Sequence, residues 1–495
     1  MRTAYTVEAI RQAETQLMAQ LPPGTLMQRA AAGLAAVVVR LLAESRGVYG
    51  AAVVLLVGVG DNGGDALFAG ALLQRRGVSV RAILVDPARA HHDGLQALLA
   101  AGGRLIDAGS DSAHEAGSDQ FERELAGADL ILDGLVGIGG KGGLRGVAAA
   151  LAAAAAAREV PVVAVDLPSG IDSDTGEVAG PAISAAVTVV FGGYKPGLFI
   201  EPGAGRAGVL EFVDIGLADY LPQPAEAESL QQADLAALLP VPGRAVDKYR
   251  RGVVGVACGS AKYPGAALLS VGGALRSGVG AVRYVGPVEV TANVTAAHPE
   301  VLLGDGRVQA WTVGCGLDRE TSGSVVILHR LLKLTEIPLL IDAEGLAMLD
   351  KHGLKQLAKR TAPTVLTPHA GEAAALLEVE RAEVEARPLA SVRELVARTG
   401  ATVLLKGPTT VIAGPDRRTV RVNPTGTPVL ATAGSGDVLA GLIGGLLAAG
   451  LDPVDAAGAG SYLHGLAGRI AAGHGPIAAG DLIPALRTAW HNSAQ

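Results

Sequence analysis

Two stretches of this chain bring oxygen-bearing side chains to turns that can hold an anion. In "GVGDNGGDALFAG", residues 58–70, Gly58, Gly60 and Gly63 spell G-x-G-x-x-G between the apolar run "AAVVLLV" and a helix-forming segment. Such a strand–turn–helix lets backbone amides approach a phosphate at a helix N-terminus. Asp86, closing the next strand-like run "VSVRAILVD", stands about where a dinucleotide unit keeps its ribose-binding acid. The same loop carries Asp61, Asn62 and Asp65, however, and these oxygens repel phosphate and better suit a cation or a hydroxyl-bearing ring. The second stretch, "ATAGSGD", opens a glycine-dotted helix at 431–437. Amides and helix dipole there face an anion, with the Asp437 carboxylate beside them. That arrangement fits phosphoryl transfer, in which the amides hold developing charge and Asp437 accepts the proton of an attacking hydroxyl. The plainer reading is an aspartate capping its own helix. No Walker loop is present, since a glycine follows Lys141 in "GIGGKGG".

Other candidates stand at strand ends. Asp166 ends "PVVAVD", so its carboxylate is held at the carboxyl edge of a sheet and is a candidate acid/base. His369 follows "TVLT", presented by a turn that Pro368 fixes. Lys406, in "LLKGPTT", precedes a glycine turn and can meet phosphate as a point charge or simply snorkel from a strand end. His464 in "SYLHGLAG" reads as helix packing, and Cys258 and Cys315, each among small residues, as inert buried thiols with no disulfide.

The elements that must position these residues alternate. With 495 residues the chain is too long for one core. Strands "AAVVLLVG", "VRAILVD", "ADLILDG", "PVVAVDLPSG" and "AVTVVFGG" are separated by helical stretches, which predicts a mainly parallel sheet between two helical layers. "ADYLPQPAEAESLQQAD", residues 218–234, lacks a strand pattern and reads as a linker or connecting helix. The alternation then restarts with "GVVGVACGS", "GAVRYVGP", "AWTVGCG", "PLLIDAEG", "PTVLTPH", "ATVLLKG" and "TTVIAGP". The expected fold class is α/β, as two three-layer α/β/α domains covering 1–222 and 223–495. A hydrophobic share of 49% with 18% charged residues argues against disorder. A net charge of −7 without a Lys/Arg cluster argues against nucleic acid. The apolar stretches "VAAALAAAAAA" and "LAGLIGGLLAAG" fall short of the roughly 20 residues of a membrane span. A cytoplasmic enzyme without a membrane partner is expected.

A family resemblance joins these signals. "KYRRGVVGVACGSAKYPGAALLSVGGALRSGVG", "AHPEV", "VGCGLD", "PLLIDAEGL", "TVLTPHAGEAAALL", "VLLKGPTTVIA", "ATAGSGD" and "SYLHGLAG", in this order, resemble the ADP-dependent NAD(P)H-hydrate dehydratases of the ribokinase-like superfamily. "LMQRAAAGLA", "GDNGGDALFAG", "LILDGLVGIGGKGGLRG" and "VAVDLPSGIDSDTG" resemble the NAD(P)H-hydrate epimerases, with a Rossmann-like fold. The fused pair resembles the bifunctional nicotinamide nucleotide repair enzymes. Reduced nicotinamide can take up water across a ring double bond, giving R and S hydrates that no dehydrogenase can use. The resemblance implies an epimerase that interconverts them and a dehydratase that expels water from the S form after phosphorylation, consuming ADP and releasing AMP and phosphate.

It also implies residues. A potassium ion falls to Asn62, Asp133 and Ser169, an all-oxygen set suited to a hard cation. The hydrate in the first half falls to Asp61, Asn62, Gly63, Gly64 and Asp65, to the loop Gly137, Ile138, Gly139, Gly140, Lys141, Gly142 and Gly143, and to Asp166. In the second half the hydrate falls to Ala266, Gly316, His369 and Asp437, and the nucleotide, ADP or ATP with Mg2+, to Lys406, Gly407, Pro408, Thr409, Thr410 and Gly436. Asp166 and Asp437 are the implied catalytic pair, the partners are small molecules, and a homo-oligomer is expected. The chain departs from the family at Asp61 and Ala66, where Asn and Gly are usual, and at Cys315, where Pro is common, a change expected to affect loop stiffness more than chemistry.

Three rivals remain open at this level. A ribokinase-like small-molecule kinase would leave a stable phosphorylated product. A catalytically silent first half would bind without epimerising. A nicotinamide dehydrogenase would need a second substrate domain, and none is recognisable.

Overall fold

The computed structural model describes residues 1–108, 118–244, 247–473 and 475–493. The chain divides into two compact units, Thr3–Glu226 and Ala227–Gln495, the latter taking Met1–Arg2 with it.

In the first unit the strands lie in the order Arg104–Asp107, Ser79–Leu84, Ala52–Val57, Leu130–Gly134, Val162–Val165, Val187–Phe191 and Val209–Val213, all parallel among the described residues. Alternate residues of Ala52–Val57 enter different cores, which is what burial on both faces demands of a parallel strand. Val53, Leu55 and Val57 pack with Leu34, Leu67 and Leu73 of helices Thr25–Ser45 and Asp61–Arg75. Val54 and Leu56 pack with Leu125 and with Leu151 of the alanine-rich helix Gly146–Ala156. Three layers result. The parallel register pairs Val57 with Gly134 and Asp133 with Ala164, so the loops after three neighbouring strands leave the sheet at one edge.

In the second unit the order runs Ala227–Ser229, Val420–Asn423, Thr410–Ala413, Thr402–Leu405, Thr364–Leu366, Leu339–Ile341, Ala310–Val313, Val253–Ala257, Ala281–Tyr284 and Leu302–Leu303. Pairing is antiparallel on both sides of Thr410–Ala413 and parallel elsewhere along this order. Helices Pro264–Leu275, Ser435–Ala448 and Pro453–Ala472 share a core with strand residues Val254, Val256, Leu340 and Leu404. The glycines that dot Ser435–Ala448 make this packing close: a Cβ on Gly441 would lie 1.8 Å from the Ser270 carbonyl oxygen, and one on Gly444 1.8 Å from Thr312 Oγ1.

The expected linker is more structured than its sequence suggests. Ala227–Ser229 is a strand beside Val420–Asn423, and Gln232–Leu238 is a helix. The strand is held by charge as well as by its ladder, because buried Arg421 pairs with Glu228 at 2.6 Å and with Asp455 at 2.5 Å. Among the described residues one helix, Thr25–Ser45, is long and apolar enough by composition to cross a membrane. Leu26, Ala30, Leu34 and Val38 on it are buried in the first unit's core.

Candidate functional site

In the first unit Asn62, Asp133 and Ser169 stand at the carboxyl ends of adjacent strands. The fingerprint glycines make the tight turn: a Cβ on Gly58 would lie 1.7 Å from the Leu135 carbonyl oxygen, and Gly60, at a φ of 98°, caps the helix that begins at Asp61. Gly63 and Gly64 serve packing, against the Gly58 carbonyl and against His91 and Met27. Ala66 is buried, and its methyl group would meet a Cβ on Gly134 at 2.8 Å, so this departure fills core space. Asp86 accepts from the Ala88 amide at 3.1 Å, capping a turn away from the cavity described next.

A cavity of about 810 Å3 opens at this edge, within the size range of small-molecule sites. Its lining includes Asp61, Asn62, Asp65, Gly137, Ile138, Gly139, Gly140 and Asp166, together with Arg11, Glu14, Met27, Phe68 and His91. Lys141, Gly142 and Gly143 do not line it. Asp133 is fully buried and accepts from the Ser169 amide at 2.8 Å, the Ser169 hydroxyl at 2.7 Å and the Leu135 amide at 3.2 Å. Burial nevertheless pushes its pKa up to about 6, the hydrogen bonds only partly offsetting it. Asn62 Nδ2 is buried with no partner among the described residues, and a Cβ on Gly137 would lie 3.3 Å from its Oδ1. The Asp133 carboxylate, the Asn62 side-chain carbonyl and the Ser169 hydroxyl form an all-oxygen set that fits a hard monovalent cation, and Asn62 Nδ2, a donor, takes no part in it. Among the described residues no group of three or more His, Cys, Asp or Glu could hold a metal.

Asp166 has a φ of 66°, and its Oδ1 accepts from the Phe191 amide at 2.9 Å and from the ammonium of Lys195. Burial, then the charge of Asp166, pushes the carboxyls of Asp65 and Glu14 upward, Asp65 strongly. Sequence reasoning missed Lys195, Glu14 and Arg11. The available signal was a lysine inside "FGGYKPGLF", just past the strand neighbouring that of Asp166.

In the second unit five parallel strands deliver Cys258, Cys315, Asp342, His369 and Lys406 at their carboxyl ends. Lys406 Nζ lies 2.8 Å from Oδ1 of buried Asp342 and 3.9 Å from Glu372 Oε2. Burial pulls the lysine down, but the two carboxylates outweigh it and hold its pKa above the ordinary value. Gly434 caps the helix Ser435–Ala448, so Asp437, its third residue, is not the cap. Burial and the charge of Asp342 push Asp437 up to about 7, against a hydrogen bond from Cys315 and the attraction of Lys406. A Cβ on Gly436 would sit 3.4 Å from Lys406 Nζ and 3.8 Å from Asp342 Oδ2, so this helix start faces that ion pair. Both cysteines are buried, but Cys315 does more than fill space. Its Sγ lies 3.8 Å from Asp342 Oδ2, and its hydrogen bond with Cys258, its burial and the nearby carboxylates keep the thiol protonated.

Gly316, at a φ of 62°, lies against Ala266, whose Cβ a side chain on Gly316 would meet at 2.4 Å. In the turn Lys406–Thr410, Thr409 Oγ1 is buried and unpartnered among the described residues, and the Pro408 carbonyl oxygen closely approaches Gly426. His369 caps the helix Ala370–Leu377, Nδ1 accepting from the amides of Gly371 at 3.0 Å and Glu372 at 3.1 Å, with its ring half exposed. His464 is buried, with burial lowering its pKa to about 4; the neutral ring donates Nε2–H to the Ser435 carbonyl at 2.9 Å and anchors the helix start. Asp342 and Glu372 were quoted within motifs but given no role, although Asp342 ends its strand as Asp166 does.

Residues 23–197 match the family described as YjeF-related protein N-terminus, and residues 254–486 the family described as NAD(P)H-hydrate dehydratase. The chain is similar to the bifunctional NAD(P)H-hydrate repair enzyme Nnr of Mycobacterium leprae, 46% identical over 500 residues that cover 99% of each chain. It is also similar to the enzyme of the same name from Mycobacterium tuberculosis H37Rv, 45% identical over 92% of this chain and 91% of that one. Among solved structures, an ADP/ATP-dependent NAD(P)H-hydrate dehydratase from Bacillus subtilis, co-crystallised with ATP and Mg2+, aligns at 29% identity with a TM-score of 0.48, over 53% of this chain and 97% of that one.

Proposed function

The chain belongs to the family of bifunctional NAD(P)H-hydrate repair enzymes, and we infer from that premise how its two sites divide the work. The enzyme epimerises R and S NAD(P)H hydrates and dehydrates the S form at the expense of ADP, releasing AMP and phosphate. The Rossmann-like first unit carries the epimerase and the ribokinase-like second unit the dehydratase.

For the dehydratase the carrying observation is the meeting of Asp437, Lys406 and Asp342 at one helix start. An Asp437 with a pKa of about 7 takes the proton of the hydrate hydroxyl as that oxygen attacks the terminal phosphoryl group of the nucleotide. The hydroxyl thereby becomes a phosphate ester. The C–O bond then breaks, the neighbouring ring carbon gives up a proton, and inorganic phosphate departs as the ring double bond re-forms. Lys406 meets the phosphates as a point charge, and Asp342 and Glu372 hold its ammonium in place. Thr409, whose hydroxyl is unpaired among the described residues, lies in the proposed nucleotide turn of Lys406, Gly407, Pro408, Thr409 and Thr410, with Gly436 opposite. Ala266, Gly316 and the outer face of His369 are proposed to hold the hydrate. The nucleotide would bring Mg2+, which neutralises phosphoryl charge when bound; an all-protein cage is not needed for this ion.

For the epimerase, Asp166 Oδ2 is the proposed acid/base. As a carboxylate it takes the proton of the ring hydroxyl as the C–N bond of that carbinolamine opens to an aldehyde, the nitrogen's electron pair passing into the conjugated amide, and it returns the proton to oxygen when the nitrogen closes on the opposite face. Asn62, Asp133 and Ser169 would hold K+, which would supply a fixed positive charge at this site. Asp61, Asp65 and Gly137–Gly140 are proposed to contact the hydrate. We further place the enzyme in the cytoplasm as a homo-oligomer acting on small nucleotides.

Expressing the chain and supplying mixed hydrates with ADP and magnesium tests the reading. Recovery of reduced-nicotinamide absorbance with release of inorganic phosphate supports it, and a persistent phosphorylated product refutes it in favour of a kinase.

A further inference from the structure

Lys195 is fully buried. A buried ammonium persists only with compensating partners. It bonds Asp166 Oδ1 directly and reaches the Phe191 carbonyl at 3.5 Å. The Phe191 amide donates to the same Asp166 oxygen at 2.9 Å. The end of the strand Val187–Phe191 and the turn after it thus clamp one oxygen of a residue already held in the left-handed region, at a φ of 66°. Oδ2 has no protein donor among the described residues, and Asp166 lines the cavity.

Other carboxylates gather round this one. Glu14 on the helix Val7–Met18, and Asp61 and Asp65 on Asp61–Arg75, act on one another or on Asp166 across the cavity, with Arg11 beside Glu14. His91 and Asp93 line the same cavity. Lys195 is the cation in contact with Asp166.

We propose that Lys195 is a positioning residue for epimerisation, keeping Asp166 a carboxylate and turning its Oδ2 toward the ring hydroxyl. The proposal rests on the assignment of epimerisation to this unit. It predicts a residue that substrate never touches and that nonetheless sets the pH dependence of exchange.

The test uses the full chain, without nucleotide, so that only R-to-S exchange is read. Lys195→Met should lower kcat roughly 100-fold or more with little change in KM. Its ascending pH limb should move up by about one to three pH units, because a contacting positive charge has been removed. Lys195→Arg should return the limb to the wild-type position. A Lys195→Met limb that coincides with wild type, whatever the rate, overturns the proposal. Thermal melting gives a readout independent of activity. The midpoint gap between Lys195→Met and wild type should widen as pH rises and close in Lys195→Met/Asp166→Asn, and a gap indifferent to both pH and Asp166 overturns the pairing. If Lys195→Met does not fold, Lys195→Arg decides: a limb displaced despite the retained charge refutes the role. Wild-type protein that melts as predicted yet never exchanges the epimers would overturn the assignment of epimerisation and leave the pairing standing.

Discussion

Asp437→Asn separates catalysis from stability, because the structure predicts opposite signs for the two. The substitution keeps size and hydrogen-bonding shape but removes the base. Loss of one positioned general base costs on the order of 100- to 10,000-fold in rate, or about 3 to 5 kcal/mol of transition-state stabilisation. Stability should move the other way. The folded-state pKa of about 7 stands above the ordinary 3.8, so the folded protein favours the protonated carboxyl. The stability gained from that preference is fully present below about pH 3.8 and is lost as pH rises through about 7. At 1.36 kcal/mol per pH unit the difference is on the order of 4 kcal/mol, and asparagine, which does not titrate, escapes it. Relative to wild type, the variant should therefore gain melting temperature progressively between those pH values and hold the gain above them. The amides from Gly434 to Gly436 are unchanged, so nucleotide binding should survive. Dehydration of purified S hydrate with ADP and magnesium, alongside melting curves below and above neutrality, checks both halves. Near-wild-type turnover would remove Asp437 from the mechanism, and a uniform loss of stability at all pH values would refute the burial argument.

Four further outcomes follow from the same geometry. Asn62→Ala or Asp133→Asn should impair epimerisation and leave S-hydrate dehydration nearly normal; equal loss of both in a folded protein contradicts the two-site division. Omitting ADP and ATP should stop dehydration while epimer exchange continues, as chromatography of both epimers reads directly. Gly316→Val should abolish dehydration and cost roughly 1 to 3 kcal/mol in melting experiments, because the backbone is left-handed there and the new side chain meets Ala266. His464→Leu should remove a pH dependence: the neutral histidine stabilises the fold above its unfolded value of 6.5, and that contribution is lost as pH falls toward about 4. A variant with the wild-type slope in this window would contradict the burial of an uncharged ring.

Much of the positioning scaffold could be read from residue pattern. Runs such as "AAVVLLVG" and "PLLIDAEG" are strands because continuous apolar residues bounded by glycine or aspartate can be buried on both faces. Ala227–Ser229 escaped notice because its middle residue is Glu228, whose charge is neutralised by Arg421, a partner remote in sequence. Asp437 stands out as a candidate through its glycine loop, whereas the network around it does not. Asp342, Glu372 and Cys315 reach it from different strands and loops, and only the sheet order makes them neighbours. Lys195 was hidden for the same reason. Its role depends on burial beside Asp166, and a lysine in sequence reads first as a surface residue. His369, singled out for substrate, also caps its own helix, a role that the motif alone did not reveal.

The central claim is that one chain drains both hydrates through two sites, and a single time course tests it. Mixed R and S hydrates are incubated with the full chain, ADP, magnesium and potassium, while both epimers and reduced nicotinamide are followed by chromatography and absorbance. The account predicts that both epimers disappear, with reduced nicotinamide and inorganic phosphate formed in equal amounts, and that without nucleotide they only re-equilibrate. Persistence of the R epimer after the S form is exhausted, or accumulation of a phosphorylated hydrate, would contradict it.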